Sequence, residues 1–217
     1  MKIQAVHFDL DGTLVDTAGE IALALGRTLA ELGSAALPQP QVAALVGRGV
    51  RSLVERALAR AGVQCDVDGA VLRFERHYEQ VIATEAMLFH GVRAGLERLR
   101  AASIPMSVVT NKPRQFTLRL LEQLEIANFF AGVVAGDDGF ARKPAGDMLL
   151  AACRMTASAP VVSLMLGDSG NDVRAARAAG CPVWCVPYGY NEGRAAQTLD
   201  CDRLVESVDA AAVAIIG

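Results

Sequence analysis

The stretch Ile3-Gln4-Ala5-Val6-His7-Phe8-Asp9-Leu10-Asp11-Gly12-Thr13-Leu14 decides how the rest of the chain is read. Residues 3–8 form a short apolar run that predicts a strand buried in a sheet. Two carboxylates, Asp9 and Asp11, stand where that run ends. Burying one ionised carboxylate is costly, and a second beside it is worse unless a cation or a reaction compensates. In extended backbone, residues i and i+2 point to the same side, so Asp9 and Asp11 can converge on one point. Gly12 then lets the chain turn sharply away. Two readings follow from this stretch alone: an Asp-rich turn capping the next helix, or a nucleophile and a proton carrier sharing a metal site.

Strand-like runs recur at residues 104–110, 133–135, 161–166 and 182–186, with helical spacings between them, as in Phe116, Leu120, Leu121 and Leu124. Strand alternating with helix predicts a parallel sheet covered on both faces, an α/β architecture whose ligands bind beyond the carboxyl ends of the strands. Asp9, Thr110 and Asp168 all stand at such ends. Residues 16–84 break the rhythm. Ile21, Leu25, Leu29 and Leu32 mark one helix, Leu53, Ala57, Leu58 and Ala61 a second, and Val71, Phe74, Tyr78 and Val81 a third. A helical block of that length is too long for an ordinary crossover and predicts a small helical domain inserted into the sheet domain, which then comprises residues 1–15 and 85–217.

The chain has 217 residues, 52% hydrophobic and 21% charged, with a net charge of −3. That is enough to bury a sizeable core, and nothing in the charge favours a nucleic-acid partner. No apolar stretch approaches the roughly 18 residues of a membrane span, and the N-terminus enters a strand without a signal-peptide pattern. The five cysteines are scattered, with no CxxC pair, as expected for reduced thiols of a cytoplasmic protein.

Three further segments carry chemistry. Val108-Val109-Thr110-Asn111-Lys112 is an apolar strand ending in a hydroxyl, an amide and a cation. In Arg142-Lys143-Pro144 a lysine precedes a proline expected to start a helix. Leu166-Gly167-Asp168-Ser169-Gly170-Asn171-Asp172-Val173 runs a strand into a second acidic pair, which suggests a hard cation. With Asp9-x-Asp11-Gly12-Thr13, and in this order, these resemble the four signature motifs of the haloacid dehalogenase (HAD) superfamily of phosphohydrolases. The likeness spans the whole chain, and the helical insertion resembles that superfamily's type-1 cap on a Rossmann-like core. The resemblance implies that Asp9 is the nucleophile that becomes an aspartyl phosphate and Asp11 the general acid/base. It implies that Thr110 and Lys143 hold phosphoryl oxygens and that Asp168 binds Mg²⁺ with the Asp9 carboxylate and the Asp11 carbonyl, while Asp172 supports or shares that site. Gly12, Thr13 and Asn111 are expected to contribute to substrate binding.

Physical chemistry is consistent with these roles. A carboxylate attacks an anionic phosphoryl group only when repulsion is screened, which Mg²⁺ and Lys143 would do. An Asp two residues after the nucleophile argues for phosphoryl transfer over dehalogenation. A receiver domain, which also uses a strand-end Asp, a Thr and a Lys, carries no such insertion. Within the insertion, Val46-Gly47-Arg48-Gly49-Val50-Arg51 resembles a stretch in the cap of phosphoglycolate phosphatases, as do Leu14-Val15-Asp16-Thr17 and Val186-Pro187-Tyr188-Gly189-Tyr190-Asn191. After Lys143-Pro144, Ala145-Gly146-Asp147-Met148 departs from that subfamily's further prolines. Arg48 is the expected contact for a second anionic group on the substrate. The implied activity is Mg²⁺-dependent hydrolysis of a small phosphorylated metabolite, foremost 2-phosphoglycolate, by a monomer or homodimer. The alternatives are another small sugar phosphate, or a β-phosphoglucomutase-like transfer.

Overall fold

Strands buried on both faces need continuous apolar runs, and the central strands of this protein have them. The computed structural model describes residues 2–217. Strands β1 (Ala5–Phe8), β4 (Met106–Val109), β5 (Gly132–Val134), β6 (Ser163–Gly167), β7 (Val183–Cys185) and β8 (Arg203–Leu204) pair in parallel in the order β5-β4-β1-β6-β7-β8. Every residue of β1, β4 and β6 is buried. Three of these buried residues are polar, and each is satisfied: the His7 ring and the Ser107 hydroxyl lie 2.8 Å apart, and the Ser163 hydroxyl donates to the Ala159 carbonyl at 2.8 Å. On one face, α7 (Asp147–Met155) and α8 (Gly170–Ala179) enclose Val109, Val134, Met148, Leu149, Met165 and Val173. On the other face lie α5 (Val92–Ala101), α6 (Arg114–Gln123) and α9 (Val208–Ile216). Their apolar stripes join the sheet in a cluster that includes Phe8, Leu96, Leu120 and Val208.

Between β1 and β4 the chain leaves the sheet. The two-residue strands β2 (Val15–Asp16) and β3 (Met87–Leu88) pair antiparallel and form a narrow ribbon through which it exits and returns. Four helices lie between them: α1 (Ala18–Glu31), α2 (Gln39–Ala43), α3 (Val50–Ala61) and α4 (Val67–Val81). Ala18, Ile21, Leu25 and Leu29 give α1 a buried stripe at helical spacing. Asp66 caps α4, accepting from the Gly69 amide at 2.8 Å. Leu25, Leu29, Leu53, Phe74 and Tyr78 belong to the same buried cluster as Phe8 and Leu10, so the insertion packs directly on the sheet domain.

Several boundaries differ from the sequence expectation. The run at 161–166 enters the sheet only at Ser163, because Pro160–Val162 forms a 3-10 turn. Pro144 does not begin a helix, and α7 starts at Asp147. The β2–β3 ribbon and β8 are too short to show any periodicity. Among the described residues, no helix is long and apolar enough to cross a membrane.

Candidate active site

Parallel strands that end at a common edge bring their following residues together. Asp9, Thr110 and Asp168 each directly follow β1, β4 or β6, three neighbouring strands. Asp9 Oδ1 accepts from the Leu10 amide at 2.7 Å and faces the Lys143 ammonium at 2.9 Å. Lys143 is also 2.7 Å from Asp172 Oδ1. The other oxygen of Asp172 accepts from the Ser169 hydroxyl at 2.8 Å and the Ser169 amide at 3.1 Å, within the capping box that starts α8. Asp168 is held from two sides: Thr13 Oγ1 donates to it at 3.0 Å and the Tyr190 amide at 2.7 Å. Gly12, at φ 89°, has a backbone conformation side chains disfavour. A Cβ there would lie 2.6 Å from Asp168 Oδ2, so the close approach requires glycine.

Burial pushes Asp9 up to about 8, with Lys143 opposing and Asp172 and Asp168 adding to the rise. Burial likewise pushes Asp168 up to about 7, helped by Asp172. Burial works against the Lys143 ammonium too, but the Asp172 and Asp9 carboxylates outweigh it and raise its pKa. Asp9, Asp168 and Asp172 each offer an oxygen within 4.8 Å of the others. An oxygen-only set with two carboxyls resisting ionisation suits a hard divalent cation, whose charge would hold both ionised. The Asp11 side chain turns away from this trio. It accepts from Lys112 Nζ at 2.9 and 3.1 Å and from the Thr17 hydroxyl at 2.7 Å.

Asp9, Asp11, Thr110, Asn111 and Lys112 line a cavity roofed by Ile21, Val46, Gly47, Leu53, Phe74 and Tyr78 of the insertion. Its free volume is about 40 Å³, room for a few water molecules. The roof is fastened through one carbonyl: Gly47 O accepts from Asn111 Nδ2 at 2.9 Å and from Asn171 Nδ2 at 3.2 Å. Gly47 has φ 113°, open to glycine alone at little cost. Tyr190 joins the two parts again, since its hydroxyl accepts from the Thr17 and Ala18 amides at 2.8 and 3.0 Å while its own amide holds Asp168.

The structure gives several expected substrate contacts other partners. Arg48 does not line the cavity; it grips Glu192 of the sheet domain, with Nη2 donating to Oε2 at 3.0 Å. Arg51 pairs with Asp68 inside the insertion. Thr13 spends its hydroxyl on Asp168. The Gly12 and Thr13 amides bond the carbonyls of Val15 and Leu10 in a tight turn, so neither is free for a phosphoryl oxygen. Asn111 uses its amide protons on Gly47 O and, at 2.8 Å, on Lys143 O, which leaves only a buried acceptor, Oδ1, without a protein partner. Conversely, Lys112, Tyr78, Asn171, Tyr190 and Glu192 take part without having been assigned a role from sequence. Lys112 follows Thr110 and Asn111 at the end of an apolar strand, a signal that could have found it, whereas Tyr78 sits in an apolar helical stripe that marks it only as core.

Comparison with known proteins agrees with this geometry. Residues 6–186 match the family described as haloacid dehalogenase-like hydrolase. A phosphoglycolate phosphatase from Nitrosospira multiformis is 44% identical over 96% of this chain and 93% of its own length. The phosphoglycolate phosphatase of Escherichia coli is 37% identical over 95% of this chain and 90% of its own. The crystal structure of a predicted phosphoglycolate phosphatase from Haemophilus somnus superposes with a TM-score of 0.92, at 26% identity and 96% coverage of both chains. Motifs, strand-end geometry and these relatives agree: the chain belongs to the haloacid dehalogenase-like hydrolase family.

Proposed function

We propose that this protein is a Mg²⁺-dependent phosphatase that hydrolyses 2-phosphoglycolate to glycolate and phosphate through an aspartyl phosphate. One observation carries the chemistry: a buried Asp9 at the sheet edge, 2.9 Å from Lys143 and grouped with Asp168 and Asp172, opens onto a small cavity beneath the helical insertion. The names of the relatives, 37–44% identical over nearly the whole chain, supply the substrate.

In this scheme Asp9 attacks phosphorus, and the bond from phosphorus to the glycolate oxygen breaks. The Asp9 hydrogen bonds fall on Oδ1, so the attack would come from Oδ2. Asp11 gives its proton to the departing oxygen and later takes one from the water that hydrolyses the phosphoenzyme. Lys112 and Thr17 fix the Asp11 side chain facing the cavity. Lys143 neutralises charge on the transferring group, and the Thr110 hydroxyl, which accepts from the Lys112 amide at 3.2 Å, keeps its proton to donate to a phosphoryl oxygen. Asp9, Asp168 and Asp172 would hold Mg²⁺, which when bound offsets the repulsion between carboxylate and phosphate. Closure of the insertion excludes competing water during the first step. With all five cysteines unpaired, the reducing cytoplasm is the matching compartment.

The test is a Mg²⁺-dependent rate screen over small phosphorylated acids and sugar phosphates, with Asp9→Asn as control. The highest kcat/KM is expected for 2-phosphoglycolate, and Asp9→Asn should abolish turnover while retaining the fold. A sugar phosphate turned over best would overturn the substrate, and a fully active Asp9→Asn the nucleophile.

A further inference from the structure

Tyr78 of α4 is 1% exposed, and its hydroxyl is a buried polar group with no hydrogen-bond partner. Such groups are rare and call for an explanation. The ring is locked: it stacks on Phe74 at 5.6 Å and meets Phe116 of α6 edge-on at 5.0 Å. It lines the same cavity as Asp9 and Asp11, and Lys112 Nζ lies 4.7 Å from its ring centre. Among the described residues that line the cavity, Lys112 alone carries a cation. Arg48 and Arg51, the cationic candidates of the insertion, do not line it, whereas Lys112 does, its ammonium also donating to Asp11.

We propose that Tyr78 and Lys112 together form the subsite for the substrate's non-reacting end, a carboxylate that accepts from the phenol and the ammonium while the phosphoryl group sits on Asp9. This rests on the proposed 2-phosphoglycolate activity and names the residues that select it. Burial pushes the Tyr78 phenol up to about 12, and the nearby carboxylates of Asp11 and Glu20 add to the rise against the pull of Lys112, so it carries a proton to donate at neutral pH. The orphaned Asn111 Oδ1 is an acceptor and takes no part in holding an anion. Lys112 comes from the sheet domain and Tyr78 from the insertion, so the subsite is complete only when the insertion is seated. Recognition of the carboxylate thus favours the closed state in which Asp9 is shielded from water.

The experiment compares kcat/KM for 2-phosphoglycolate and for ethyl phosphate, which has the same two-carbon frame without the carboxylate, in the full-length protein with Mg²⁺. Wild type should prefer 2-phosphoglycolate strongly. Tyr78→Phe should lower that preference about tenfold, mainly through KM, with ethyl phosphate within about twofold of wild type and thermal stability unchanged or raised. Lys112→Gln, read as the same ratio because Lys112 also touches Asp11, should reduce the preference as well. Equal losses of Tyr78→Phe on both substrates, or a preserved preference, overturn the subsite while leaving the substrate assignment standing. A wild-type enzyme indifferent to the carboxylate overturns the substrate assignment and the subsite with it.

Discussion

Replacing Lys143 with Met removes the one ammonium that Asp9 and Asp172 share, at 2.9 and 2.7 Å, in a place where its side chain is 1% exposed. Met preserves the length of the side chain but leaves Asp172, and Asp9 once it ionises, buried without compensation. Breaking a buried pair in this way costs about 3–5 kcal/mol. For a chain of this size, each kcal/mol shifts Tm by roughly 2–4 °C, so a fall of about 10 °C is expected at pH 8, where Asp9 begins to ionise. The pH dependence sharpens the test. Asp9 is already raised from 3.8 to about 8 in the fold, so the native state keeps a proton that the unfolded chain releases. Stability therefore falls as pH rises through that window. Lys143 is the group that pulls Asp9 down, and its loss pushes the folded value higher still. The deficit of Lys143→Met must consequently be larger at pH 8 than at pH 5, where Asp9 is protonated in both proteins. Thermal melts in EDTA at the two pH values measure this directly. A loss under about 2 °C at pH 8, or a deficit that shrinks as pH rises, would refute the role given to Lys143.

Wild-type protein in EDTA should itself lose stability between pH 5 and pH 8, because Asp9 and Asp168 are raised to about 8 and about 7. Added Mg²⁺ should then raise Tm more at pH 8 than at pH 5, and a metal effect independent of pH would argue against binding at these carboxylates. Glu192→Ala frees Arg48, half-exposed, and Arg56 from a glutamate whose side chain is 13% exposed, so stability should fall by about 1 kcal/mol. It should lower kcat/KM severalfold for 2-phosphoglycolate and ethyl phosphate alike by loosening closure, in contrast to Tyr78→Phe. A loss confined to 2-phosphoglycolate would instead put Arg48 in contact with the substrate.

What could be read from the chain alone lies within single strand-and-turn segments. An apolar run followed by Asp9, Thr110 or Asp168 places each side chain at a strand's carboxyl end, and parallel pairing of β4, β1 and β6 makes those ends coincide. The helical spacings of Leu25 and Leu29, of Leu53 and Leu58, and of Phe74 and Tyr78 are equally local, which is why the insertion between the first strand and the rest is legible. The partners across the gap between insertion and sheet are not. Arg48 reads as a substrate contact until folding sets it against Glu192, and Thr13 and Asn111 read as donors until Asp168, Gly47 and Lys143 take their protons. Tyr78 reads as one more core aromatic, because spacing reports which face of a helix is buried and says nothing of what a hydroxyl meets there. Periodicity encodes burial along one element, whereas pairing between residues far apart in sequence is decided by how two packed bodies meet. For this protein the sequence determined the paired carboxylates Asp9 and Asp11 and the sheet edge that holds them. The tertiary structure decided that Lys112 and Tyr78, far apart in sequence, meet in the lining of the cavity beside them, because only the packing of insertion on sheet brings them together.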